Sequence, residues 1–332
     1  MLVAAAVCPH PPLLIPAAMG AAGLDDAGLD AAAPADAEPD AAGRDAAGRD
    51  GAGLDRAGAA DAEVRELRAC CAAAVAGLLA AGPDLVIVVG GAAQSAVYAG
   101  HVTGSLRSFG IPAAAGSAEP GGPALPLSLT VGAWLLDQAD EKRARGASQP
   151  ASDRPGGRPG HEPVGRPSHG HRDGHGGGSS DGHRGGSSGG SGDGHGGAVP
   201  WRRQFRAVAS GLPPAGCLRL GAELAGLAPR VALLAMGDAS ARKAAGVHGA
   251  ADPAAERYDA EVAVALAAAD PGRLAALDPA LDDELMIAGR AAWQVLAGAA
   301  AGASLRGRLH CAVAPYDVSY LVASWDSAAA VP

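Results

Sequence analysis

Three stretches of this chain are apolar at almost every position: Leu2–Val7, Asp84–Val89 and Arg230–Met236. A strand with one wet face alternates apolar and polar residues. A strand without that alternation is buried on both faces, which calls for helices on either side of a mainly parallel sheet. The segments between supply the helices. Ala62–Ala81 places Val64, Leu67, Val75 and Leu78 at helical spacing, and Pro126–Gln138, Cys217–Ala228, Ala254–Ala269 and Leu281–Ala300 also read as helices. Phe205–Ala209 reads as a short strand. Leu309–Val313 and Val318–Ser324 read as two late strands around a turn at Pro315-Tyr316-Asp317. The expected class is α/β: a single three-layer α/β/α domain with a mixed, mainly parallel sheet and an antiparallel pair at one side.

Two tracts interrupt this pattern. About 21–60 repeats a five-residue unit, as in Asp26-Ala-Gly-Leu-Asp30 and Ala46-Ala-Gly-Arg-Asp50. A period of five fits neither helix nor strand, and its recurrent glycine weakens helix, so the tract reads as a flexible insertion. Calcium binding by its aspartates is the sharper alternative, but the spacing is not that of a calcium loop. About 145–198 is Gly, Ser, Pro, Arg and His with almost no large apolar residue, and reads as a linker within the domain. Six of the ten histidines lie in it, an adventitious trap for zinc, nickel or copper. Without the two tracts roughly 230–240 residues remain, enough for one large domain.

Composition narrows the function. A net charge of −9 argues against a broad nucleic-acid surface. Cys8, Cys70, Cys71, Cys217 and Cys311 are odd in number and contain no Cys-x-x-Cys pair, so neither a disulfide framework nor a thiolate zinc site is indicated and a reduced cytoplasm is expected. The apolar start has no basic region before Pro9, so a secretory leader is not expected. The apolar run near Ala69–Val89 is broken by Pro83-Asp84, so no membrane span is expected. No phosphate-binding P-loop, strand-borne Gly-x-Gly-x-x-Gly fingerprint or His-Glu-x-x-His motif occurs.

In open α/β sheets ligands bind at the carboxyl ends of the strands. Three such ends carry polar or glycine-rich residues: Cys8-Pro9-His10-Pro11-Pro12, Gly90-Gly91-Ala92, and Gly237-Asp238-Ala239-Ser240-Ala241-Arg242. Prolines on both sides of His10 fix the backbone where an imidazole faces the crevice, which suits a metal ligand; a structural hydrogen-bonding histidine is the bland alternative. Gly90-Gly91 reads as a tight turn or a weak anion cradle. Asp238 reads as a cap for the segment after its strand.

The ordered set Val7-Cys8-Pro9-His10-Pro11-Pro12-Leu13-Leu14-Ile15-Pro16, Gly82–Val89, Leu125–Leu136, Leu234–Arg242 and Leu281–Trp293 resembles the class III extradiol ring-cleavage dioxygenases, specifically their LigB-like β-subunit domain and its actinobacterial relatives of unassigned function. The resemblance spans nearly the whole chain outside the two tracts. It implies Fe(II) held by two histidines and a carboxylate, with a catecholic ligand and O₂ bound side by side. It also implies a further histidine as acid/base, and a homodimer or a small partner subunit. By resemblance His10 matches the first metal ligand and Glu284 the carboxylate, although a Glu on a helix is commonly a solvated charge. The second ligand is expected after Leu85–Val89, where this chain has Gly90-Gly91-Ala92. The base is expected near Ser240, where Ala241 stands. His101 is the possible substitute metal ligand and His248 the possible substitute base. Two functions follow: an Fe(II)/O₂-dependent ring-cleaving enzyme or its degenerate relative, and a non-catalytic small-molecule or protein-binding module that keeps the fold.

Overall fold

The computed structural model describes residues 1–18, 47–116, 123–148, 201–243 and 251–327. The chain divides into two units, Met1–Lys142 with Val199–Pro332, and Arg143–Ala198. The first unit carries the whole sheet. Of the second only the last turns of one helix are described. Residues 21–46 of the pentad tract and all six histidines of the second tract lie outside the described residues, as does His248.

The three apolar runs form the middle of a seven-stranded sheet. In chain order the strands are β1 (Leu2–Cys8), β2 (Leu85–Ala92), β3 (Ala96–Tyr98), β6 (Arg202–Ala209), β7 (Val231–Met236), β8 (Leu305–Val313) and β9 (Tyr320–Ser327). Their spatial order is β3-β6-β2-β7-β1-β9-β8. β6, β2, β7 and β1 run parallel, β3 is antiparallel at one edge, and β9 and β8 form an antiparallel pair at the other. β4 (Thr103–Ser105) and β5 (Ala114–Gly116) pair separately. The mixed α/β class and the late hairpin are as the sequence predicts.

The period of two sorts each strand between two cores. Leu85, Ile87 and Val89 of β2 pack on one face with Leu233 and Ala235 of β7; Val86 and Val88 pack on the other with Ala232 and Leu234. Helices α1 (Ala47–Ala80) and α2 (Leu127–Ser148) cover the second face. Helices α3 (Pro214–Ala225), α4 (Pro253–Ala268), α5 (Pro271–Ala275) and α7 (Arg290–Ala300) cover the first. This is a three-layer arrangement with a separate apolar core on each side of the sheet. No helix among the described residues is long and apolar enough to cross a membrane.

Three local expectations are corrected. First, α1 starts at Ala47 and not near Ala62, so it takes in the last pentads. Nucleation is the costly step of helix formation, and a helix already nucleated by Val64, Leu67 and Val75 extends through alanine-rich sequence despite glycine. Second, Gly90 and Gly91 belong to β2 and form no turn. Third, the expected helix Leu281–Ala300 is two. A single turn, α6 (Leu281–Glu284), ends before Met286, whose φ of 52° is left-handed, and α7 begins at Arg290. The break lets Gly289 lie against the Trp293 ring, where a Cβ would collide.

Candidate functional site

Strand register builds the site. β1 and β7 are parallel neighbours with Cys8 opposite Met236, and the pairing continues one step further where the Gly237 N–H donates to the Cys8 carbonyl (3.0 Å). Two residues beyond each strand end therefore arrive side by side, and these are His10 and Asp238. The His10 backbone N–H donates to Asp238 Oδ1 at 2.7 Å, and His10 Nδ1 lies 3.4 Å from the same oxygen. The side chains are 12% and 17% exposed. His10 Nδ1 is itself buried with no hydrogen-bond partner among the described groups. On the other flank β9 is antiparallel to β1, with Val7 opposite Ala323, which brings Tyr320 level with His10. Burial, and then the Asp238 charge, push the Tyr320 phenol up.

The surroundings hold this pair in place. After His10, Pro11 leads into a short 3-10 turn at Pro12–Leu14. Arg68 of α1 clamps that turn, its Nε donating to the Leu14 carbonyl (2.9 Å) and its Nη2 to the Leu13 carbonyl (2.6 Å). The loop after Asp238 is stitched on every side. Asp238 accepts the Ala288 N–H at its carbonyl (3.2 Å), and Ala239 N–H donates to Ser319 (3.1 Å). Ser240 N–H donates to the buried Asp259 carboxylate (3.0 Å), and the Ser240 hydroxyl donates to the Leu285 carbonyl (2.8 Å). Burial pushes the Asp259 carboxyl up, against the lowering effects of the Ser319 hydroxyl, the Ser240 N–H and the Lys243 charge.

The expected metal ligands do not assemble. Among the described residues no three His, Cys, Asp or Glu side chains form a group able to hold a metal ion. Glu284 ends the single turn α6 and is exposed, as is His101 in the loop before β4. A side chain at either glycine of β2 would be crowded. A Cβ on Gly90 would lie 2.5 Å from Ser128 Oγ, and one on Gly91 would lie 3.2 Å from the Ala288 carbonyl oxygen. Ala241 is buried, its N–H donating to Leu285 (3.2 Å). The described residues thus do not fit the three-ligand iron set. The helix acid that is engaged is Asp282, paired to Arg290.

Asp238 is likewise corrected: its carboxylate receives the His10 N–H across the strand ends and caps no helix. The signal for this partnership lay in equal offsets, each residue standing two positions past a strand end, and becomes usable once β1 and β7 are known to be neighbours. Tyr320 carried no such signal, because its level depends on the β1–β9 register. No protein-family model and no curated protein matches the chain.

Proposed function

We propose that this chain is a non-catalytic relative of the extradiol dioxygenases that binds a small hydroxylated aromatic in the crevice at the carboxyl ends of β1 and β7, without iron. The observation that carries this reading is the buried His10 Nδ1, which makes no hydrogen bond and stands 3.4 Å from the carboxylate that fixes its backbone. An unsatisfied buried nitrogen costs about 1–3 kcal/mol, and a ligand hydroxyl that reaches it recovers that cost. The Asp238 carboxylate, 3.4 Å from His10 Nδ1, repels a second anion, so a neutral phenol or catechol suits the pair better than its anion. Tyr320, kept as a neutral phenol at ordinary pH, offers a hydroxyl at the same level.

The test is calorimetric titration of the full chain with catechol, anaerobically, with a chelator and then with Fe(II). The reading requires one catechol bound per chain in chelator, about tenfold weaker binding in His10→Ala, and no ring-fission product on admitting air. Binding that needs Fe(II), or a yellow ring-fission product, establishes the enzyme in its place and points to His248 as a contributor.

A further inference from the structure

Four of the five cysteines, from three segments distant in sequence, meet between α1 and the sheet. Cys70 and Cys71 are consecutive on α1, Cys8 ends β1, and Cys311 lies on β8. Cys8, Cys71 and Cys311 belong to one buried core, against which Cys70 packs. The thiols sort into two neighbouring pairs, Cys71 beside Cys8 and Cys311 beside Cys70. All are free thiols.

The position of Cys311 depends on a bulge. In the β8–β9 ladder Leu309 is opposite Ala323 and Cys311 is opposite Val322, so His310 is the extra residue. Residues two apart on a regular strand share a face. Here Leu309 packs into the core under α3 and α4, whereas Cys311 packs into the core under α1. The bulge therefore turns Cys311 onto the face where Cys70 waits. His310 is held to β9 by a 2.9 Å contact between its Nε2 and the Ser324 hydroxyl.

We propose that Cys70 and Cys311 are a reversible dithiol–disulfide site that cross-links α1 to β8. The two pairs differ in access. Cys8 and Cys71 are wholly buried (each 0% exposed), whereas Cys70 is only half-buried and Cys311 lies beneath it at 7%. An oxidant therefore reaches Cys70 first. With a low-molecular-weight disulfide as oxidant, the Cys70 thiolate attacks one sulfur and expels a thiolate, leaving a mixed disulfide. Cys311 then attacks the Cys70 sulfur, its proton passing to the departing thiolate, so that two protein thiols become one disulfide and the oxidant leaves as two thiols. Burial, the Cys70 contact and the Glu66 charge all keep Cys311 protonated until that second step. The difference in access assigns Cys70 the attacking role and Cys311 the resolving one.

The experiment exposes the folded full chain to oxidised glutathione and counts thiols, with intact mass and non-reducing peptide mapping. The expected result is three titratable thiols where the reduced chain has five, a mass loss of two hydrogens, and a peptide containing Cys70 joined to one containing Cys311, reversed by dithiothreitol. Because Cys70 and Cys71 share a proteolytic peptide, variants assign the bond. Cys71→Ala retains the cross-link, Cys70→Ser abolishes it, and Cys311→Ser stops at a glutathione adduct on Cys70. Circular dichroism of each variant establishes that it is folded. Five thiols retained in the oxidised parent, a cross-link persisting in Cys70→Ser, or no adduct in folded Cys311→Ser overturns the proposal.

Discussion

Arg290 donates its Nε–H to Asp282 Oδ2 at 2.5 Å, closing the gap between α6 and α7 where the chain breaks its helix. The guanidinium is 1% exposed and has other tasks. Nη1 donates to Gln294 Oε1 (2.8 Å) and to the Leu212 carbonyl (3.2 Å), and Nη2 donates to the Ser210 carbonyl. Gln294 in turn donates to the Leu277 carbonyl (2.9 Å). One cation thus joins the loop after β6, the loop before α6 and the start of α7, and the last of these supports Ala288 against Asp238.

Removing that cation strands the carboxylate. Arg290→Ala is expected to cost about 3–5 kcal/mol, because Asp282 stays largely buried without its charge partner. In the double variant Arg290→Met with Asp282→Leu much of the loss returns, since a well-packed apolar pair avoids the desolvation cost. Denaturant unfolding of the single and double variants measures both; equal losses in the two would mean that the carbonyl bonds to Ser210 and Leu212 dominate.

The layers of this fold were legible in the sequence because strands buried on both faces leave a direct mark, as in Leu2–Val7 and Arg230–Met236. The break in Leu281–Ala300 was not. Its residues have an unbroken helical pattern, and the left-handed Met286 follows from Gly289 seating against Trp293 and Gly237, a tertiary demand. The same holds for the site. His10 stood out through its flanking prolines, but Asp238 beside it depends on strand order and Tyr320 on register. Glu284 was selected by resemblance, and the geometry leaves it on an exposed turn because the helix that would have aimed it ends there.

Arg68 ties the turn after His10 to α1 through three backbone carbonyls, those of Leu13, Leu14 and Ile15. Arg68→Met keeps much of the packing stem and removes the donors. The expected result is a loss of about 1.5–3 kcal/mol, as for hydrogen bonds to a charged group, with faster amide exchange confined to Leu14, Ile15 and Ala18, whose N–H groups maintain the turn. Exchange spreading evenly over β1 would show that Arg68 supports the strand itself.

Asp259 makes stability depend on pH in an unusual direction. Burial raises its folded value above the ordinary 3.8, so the folded chain holds this proton more tightly than the unfolded chain. Its contribution is therefore full below 3.8 and is lost as pH rises through the raised value. Asp259→Asn removes the ionisation and keeps an oxygen for the Ser240 N–H. The variant's stability relative to the parent should grow as pH rises above 3.8 and through the raised folded value. Urea midpoints across that range that shift in parallel for both proteins would contradict it.

Gly237 links the core to the crevice. A Cβ there would collide with the Gly289 backbone and approach the Trp293 indole nitrogen at 3.2 Å. Neither neighbour can yield easily: Trp293 is fully buried, and the Ala288 N–H is bound to the Asp238 carbonyl. Gly237→Ala must therefore push the strand end outward, at an overpacking cost of about 1–3 kcal/mol. The displacement falls on the next residue, Asp238, whose 2.7 Å contact with the His10 N–H is the shorter of its two to that residue and the first to be lost. Calorimetry should then show catechol binding weakened in parallel with the unfolding midpoint, whereas Gly211→Ala, where a Cβ meets open space, leaves binding unchanged. A Gly237→Ala protein that is destabilised yet binds catechol as the parent does would separate the Asp238 carboxylate from the ligand site.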